Sequence, residues 1–156
     1  MIYIFDLDET LIDSRHRLSY LADGSLDLVH YRAVSHTRAN VMNDTLLPLA
    51  HVCRALYERG EIVIALTARH MADFDYDYLK AHNLNFSYIL SRNDITKKHY
   101  NMPDGSYKLR HIKKAGIDLN NAIMFDDNAS VKTELRLIGL PVICAIKLNQ
   151  RLRKAA

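Results

Sequence analysis

Short apolar runs alternate with stretches of helical periodicity along most of this chain, which predicts an α/β fold with a central parallel sheet. Strands are predicted at 2–6 (IYIFD), 61–67 (EIVIALT), 86–90 (FSYIL), 121–126 (NAIMFD) and 141–145 (PVICA). Most are nearly continuous in Val, Ile and Phe, as strands covered on both faces are. Helices are predicted between them, at 44–59, 71–82, 106–115 and 128–138. In the first, Asp44 is the expected N-cap and Pro48 falls in the first turn. Leu46, Leu49, Val52, Cys53 and Leu56 repeat there at helical spacing, and Gly60 closes the run. Gly116 ends the third helix, and Gly139 with Pro141 ends the fourth.

Two segments break the alternation. Residues 13–43 are polar, include Arg15, Arg17, Arg32 and Arg38, and separate the first strand from the first core helix. They predict a small insert of one or two helices over one end of the sheet. Residues 91–105 form a second long connection, with Lys97-Lys98, Pro103 and Asp104-Gly105. The basic tail, Lys147 to Lys154, reads as a solvated, frayed end. The expected organisation is one domain over 1–156 with a short cap-like insert at about 13–43.

Composition narrows the class without changing this picture. A chain that is 49% hydrophobic and 25% charged is ordinary for a soluble globular protein, and no apolar run is long enough to span a bilayer. Met1-Ile-Tyr-Ile-Phe meets Asp6 without the basic region or cleavage site of a signal peptide, so a cytoplasmic location is expected. Cys53 and Cys144 sit in apolar contexts and read as reduced, buried residues. The formal charge of +3 suits anionic substrates but does not require nucleic acid. The eight histidines are scattered, with no His-x-x-x-His on one helix face, so a zinc site is disfavoured.

Three predicted strands end in chemically useful residues: Asp6, followed by Asp8 and Thr10; Thr67; and Asp126-Asp127. A parallel sheet places all of these along one edge, where open α/β sheets bind ligands. Several carboxylates gathered there repel one another unless a cation sits among them, and Mg²⁺ suits an all-oxygen site.

Phe5-Asp-Leu-Asp-Glu-Thr-Leu resembles motif I of the haloacid-dehalogenase-like phosphohydrolase superfamily. Thr67 in Ala65-Leu-Thr-Ala-Arg resembles motif II, and Asp126-Asp127 in Met124-Phe-Asp-Asp-Asn resembles motif IV. Lys108 is the candidate for motif III, with Lys97, Lys98 and Lys113 as alternatives; Lys113 should lie further from the strand edge. Glu9 stands where many relatives have glycine. The resemblance implies a Rossmann-like three-layer fold and a Mg²⁺-dependent phosphatase that forms an aspartyl-phosphate on Asp6, with Asp8 as general acid and base. The second Asp of motif I is absent from dehalogenases, so its presence here implies phosphate chemistry. Asp6, Asp126, Asp127 and the Asp8 carbonyl are implied for the metal, and Thr67, Lys108, Thr10 and Arg69 for the phosphoryl group.

A looser similarity, through Ser14-Arg-His-Arg-Leu and Ala65-Leu-Thr-Ala-Arg-His, joins the chain to the phosphatase domain of bacteriophage-type polynucleotide kinase/phosphatase. It implies a nucleotide or a nucleic-acid 3′ end as substrate. No Gly-x-x-x-x-Gly-Lys-Ser/Thr loop is present, so a kinase half is not expected within these residues. Arg15, His16 and Arg17 are expected to approach the site from the insert, and Arg69 and His70 to face its entrance. Tyr20 and Tyr31 are expected to pack the insert rather than serve as base platforms. Two alternatives remain open: a phosphatase of another small metabolite or of phosphoprotein, and a non-catalytic nucleotide-binding protein on the same fold.

Overall fold

A computed structural model describes residues 1–92 and 102–156. Five parallel strands form the sheet: β1 (Ile2–Phe5), β4 (Ile62–Leu66), β5 (Tyr88–Leu90), β6 (Ala122–Asp126) and β7 (Val142–Cys144), in the order β5-β4-β1-β6-β7. The first strand is therefore central. Its register places Phe5 beside Ala65 on one side and Phe125 on the other. The Phe5 and Phe125 rings stack with centroids 4.6 Å apart.

Strand alternation divides the core into two layers. Ile4, Ile64, Leu66 and Met124 face one side, and pack with Ile112 of α5 (Asp104–Lys114) and Val131 and Leu135 of α6 (Ala129–Leu137). Phe5, Val63, Ala65 and Phe125 face the other. They pack with Leu49 and Cys53 of α3 (Leu49–Glu58), Tyr78 and Leu79 of α4 (Asp73–Ala81) and Ala145 of α7 (Ala145–Ala155). Helices on both faces give the parallel α/β sheet that the apolar runs predict and the three-layer, Rossmann-like arrangement that the resemblance implies.

Residues 13–43 form the insert, with two short helices, α1 (Leu28–His30) and α2 (Arg38–Met42), joined by a wider turn at Tyr31–Ser35. A small antiparallel pair, β2 (Ile12–Asp13) with β3 (Thr45–Leu46), closes its base. Arg38 Nη2 to Asp77 (2.7 Å) and His36 Nε2 to Asp75 (2.7 Å) tie it to α4.

Several boundaries and burials differ from the sequence reading. The helix predicted from 44 begins at Leu49, because Thr45–Leu46 pairs as a strand before the chain turns at Pro48. Asp44 is thus no N-cap; its buried carboxylate receives Arg17 and His16. The tail is not frayed: it forms α7, whose Leu148 and Leu152 pack on the core while Asn149 is buried. Cys144 is half-buried and its Sγ accepts from Lys132 Nζ at 3.4 Å. Tyr20 does not pack the insert but is 60% exposed; Tyr31 is half-buried and stacks on His36. Lys97 and Lys98 lie outside the described residues. Among the described residues, no helix is long and apolar enough to cross a membrane.

Candidate active site

Register and strand parity bring the first two carboxylates together. Phe5 pairs with Phe125, so the next residues, Asp6 and Asp126, leave adjacent strands side by side, with Asp6 N donating to Phe125 O at 3.0 Å. Both follow the parity of Ile4 and Met124, which face α5. Lys108 lies on that helix one turn before buried Ile112 and enters between them. Its Nζ donates to Asp6 Oδ1 at 2.8 Å and Asp126 Oδ2 at 2.7 Å. Lys113, the alternative, is exposed.

Asp127 completes the cluster: carboxylate oxygens of Asp6, Asp126 and Asp127 all lie within 4.8 Å of one another. Burial and the neighbouring Asp126 push the Asp127 carboxyl up to about 6. Burial also holds Asp6 well above the usual carboxylate range; Lys108 opposes this, while Asp126, Asp127 and Asp8 add to it. Burial disfavours the Lys108 charge, but Asp6 and Asp126 outweigh it and keep the amine protonated. One ammonium among three carboxylates leaves negative charge uncompensated. An all-oxygen donor set with that excess fits a small divalent cation such as Mg²⁺.

Asp8 lies outside this close group and has partners of its own. Arg69 grips it, Nε to Oδ2 at 3.1 Å and Nη2 to Oδ1 at 2.5 Å, and Ser14 Oγ donates to Oδ1 at 2.9 Å. Burial alone raises a carboxyl, but Arg69 and then Arg17 outweigh it and bring Asp8 down to about 2. Arg69 is itself buried and bound on its other side, with Nη1 donating to Asp75 Oδ1 at 2.7 Å. Its guanidinium thus meets two carboxylates, rather than facing an open entrance. His70, by contrast, is exposed.

Of the three basic residues expected from the insert, Arg17 comes near the site, 3.9 Å from Asp8 Oδ1, with its main partner Asp44 at 2.8 and 2.9 Å. Arg15 pairs with Asp13 and His16 with Asp44. Thr67 Oγ1 accepts from Arg69 N at 3.0 Å, which leaves its proton for a further acceptor. Thr10 is fully buried, and its Oγ1 has no partner among the described residues. A buried hydroxyl left so costs about 1–3 kcal/mol, which a ligand oxygen would recover.

Glu9 adopts φ +55°, a left-handed conformation that explains why glycine suits this position. Its carboxylate accepts from Ser14 N and Oγ, both at 3.1 Å, contacts glycine cannot make. Ser14, His36, Asp44, Asp75 and Asn149 also support the site, with no role for any of them predicted there. Ser14 lies in a segment whose signal is its basic residues, Asp75 in a predicted helix whose pattern does not mark it, and His36 and Asn149 in stretches without a motif; for Asp44, the missed cue was the strand pairing ahead of Pro48.

A family model described as "Bacteriophage T5 5'-deoxynucleotidase" matches residues 1–156. The 5′-deoxynucleotidase of Escherichia phage T5 is 37% identical over 86 residues, which is 53% of this chain and 35% of that protein; the chain spans about a third of its relative's length. A haloacid-dehalogenase-like hydrolase from Streptococcus pneumoniae has a similar fold, with TM-score 0.67 and 13% identity over 96% of this chain and 90% of that one. So does a haloacid-dehalogenase-superfamily hydrolase from Geobacter sulfurreducens, with TM-score 0.63 and 16% identity over 92% and 88%. A chain of the Pnkp1/Rnl/Hen1 RNA repair complex matches with TM-score 0.61 and 22% identity, over 92% of this chain and 41% of that one. With its full length matched and its sheet, strand-end carboxylates and buried lysine in place, the chain belongs to the bacteriophage T5 5′-deoxynucleotidase family, on the haloacid-dehalogenase-like fold.

Proposed function

We propose that this protein is a Mg²⁺-dependent phosphatase of nucleoside monophosphates, 5′-deoxynucleotides foremost, and that Asp6 is its nucleophile. The observation that carries the reading is the Asp6–Asp126–Asp127 cluster with Lys108 Nζ between two of its members, at the carboxyl ends of the central strands. The name of the matched family supports the substrate class.

Phosphoryl transfer needs an in-line nucleophile, neutralisation of oxygen charge and a proton for the leaving group. Asp6 attacks phosphorus and the ester oxygen departs, leaving an aspartyl-phosphate that water then hydrolyses. Lys108 neutralises charge on Asp6 and the transferring group, and the Thr67 and Thr10 hydroxyls donate to phosphoryl oxygens. Asp6, Asp126, Asp127 and the Asp8 carbonyl would hold Mg²⁺, which supplies further positive charge at the phosphoryl oxygens.

Asp8 handles the proton. Paired with Arg69 it is ionised but held well below the usual carboxylate range, so it becomes an effective base for the hydrolytic water only as that pairing loosens. For the first step it must carry a proton. An entering phosphate dianion raises its proton affinity and competes for Arg69, which favours that uptake.

The test is phosphate release with and without Mg²⁺ from 5′- and 3′-mononucleotides, deoxy and ribo, 3′-phosphorylated oligonucleotides and sugar phosphates. Metal-dependent release, greatest for 5′-deoxynucleotides, is expected. Preference for the oligonucleotides would replace the substrate assignment, and no release from any would leave the fold as a binding protein.

A further inference from the structure

Asn149 lies in α7, within the stretch whose charges suggest a frayed tail, yet it is 4% exposed. Its amide is used at both ends: Oδ1 accepts from Leu49 N at 2.8 Å, and Nδ2 donates to Thr10 O at 3.0 Å. The partners fix the orientation of the amide, because an N–H can only donate and a carbonyl can only accept. The first contact serves α3: Ala50 N and His51 N donate to Leu47 O and Pro48 O, and the Leu49 amide, which Pro48 cannot cap with a side chain, is taken by Asn149.

The second contact reaches the turn that carries the proposed chemistry. There the amides of Thr10, Leu11 and Ile12 converge on Leu7 O, at 3.3, 2.9 and 3.0 Å. Asn149 takes up the carbonyl of Thr10, whose buried hydroxyl has no partner among the described residues. One side chain thus links α7, the start of α3 and the turn between Asp8 and Ile12.

We propose that Asn149 is a positioning residue for the phosphoryl transfer above: by holding the Thr10 carbonyl it fixes the 7–12 turn, and with it the Thr10 hydroxyl. The proposal rests on the phosphatase reading. Asn149 itself touches no reacting atom. A role confined to capping α3 would make different demands, because it would leave the 7–12 turn untouched.

The test is Asn149→Ala, alone and combined with Thr10→Val, read by steady-state kinetics and by amide hydrogen exchange of the full chain. Expected are a kcat lower by about tenfold or more with KM changed less than about threefold. The Leu11 and Ile12 amides should exchange faster relative to those of β4, and the kcat loss should shrink in the Thr10→Val background. Should Asn149→Ala not fold, Asn149→Ser carries the same measurements, since its shorter side chain cannot reach both partners. Unchanged exchange of the 7–12 turn, or kcat effects that simply multiply, would overturn the proposal. If the parent protein releases no phosphate, the phosphatase reading fails, and exchange of the 7–12 amides still decides whether Asn149 fixes the turn.

Discussion

Asp127→Asn is expected to stabilise the metal-free protein at neutral pH. Burial and Asp126 move this carboxyl up to about 6, from an ordinary value near 4. Such a carboxyl binds protons more tightly folded than unfolded. Its cost is therefore absent below the unfolded value, grows as pH rises, and is complete above about 6. At about 1.4 kcal/mol per pH unit the full cost is about 3 kcal/mol, and sharing of charge within the cluster brings the expected gain to roughly 1–3 kcal/mol. Asparagine keeps the shape and removes the charge. For a domain of this size, that gain raises the melting temperature by roughly 2–12 °C. The assay is thermal unfolding in EDTA at pH 7.5 and pH 4. The variant should melt above the parent at pH 7.5, and the difference should fade at pH 4. Mg²⁺ should stabilise the parent more than the variant, because ligand binding stabilises only as far as affinity allows. A variant less stable than the parent at pH 7.5 in EDTA, or a gain unchanged at pH 4, would refute the reasoning.

Three further outcomes are expected. Lys108→Met leaves Asp6 and Asp126 buried without their cation, so the metal-free protein should lose about 3–5 kcal/mol in urea unfolding; turnover should fall by roughly 10²–10³. Asp8→Asn should leave Mg²⁺ binding, followed by calorimetry, largely intact while turnover falls by about a hundredfold or more; near-normal turnover would remove Asp8 from the proton role. Asp44→Ala strands the Arg17 guanidinium, whose side chain is 1% exposed, and should cost about 3–5 kcal/mol in the same unfolding assay.

What could be read from the sequence was whatever topology and local pattern determine. Asp6, Thr67 and Asp126 each end an apolar run, and a parallel sheet gathers such ends at one edge whatever lies between them. Lys108 was reached through its resemblance to motif III; the structure supplies the physical reason, since it sits one helical turn before Ile112, which packs on the sheet. The support around the site was not legible, because pairs such as Arg17 with Asp44 and His36 with Asp75 depend on how the insert folds back. A polar segment with short helices carries too little periodicity to fix that path. The Lys147–Lys154 stretch misled for a related reason: four exposed cations hide the Leu148, Asn149 and Leu152 face that docks. The same uncertainty applied to Arg69. Its place after Thr67 was readable, but its engagement with Asp8 and Asp75 depends on the path of the two loops that leave the adjacent strands β1 and β4.

The central claim is that Asp6 attacks phosphorus in a Mg²⁺-dependent hydrolysis. Its most direct test is phosphate release from 5′-deoxynucleoside monophosphates by the parent protein and by Asp6→Asn, each with Mg²⁺ and with EDTA. Release by the parent with Mg²⁺ alone, and none by Asp6→Asn under either condition, is the expected result. Release by Asp6→Asn at a rate near the parent's would contradict the account.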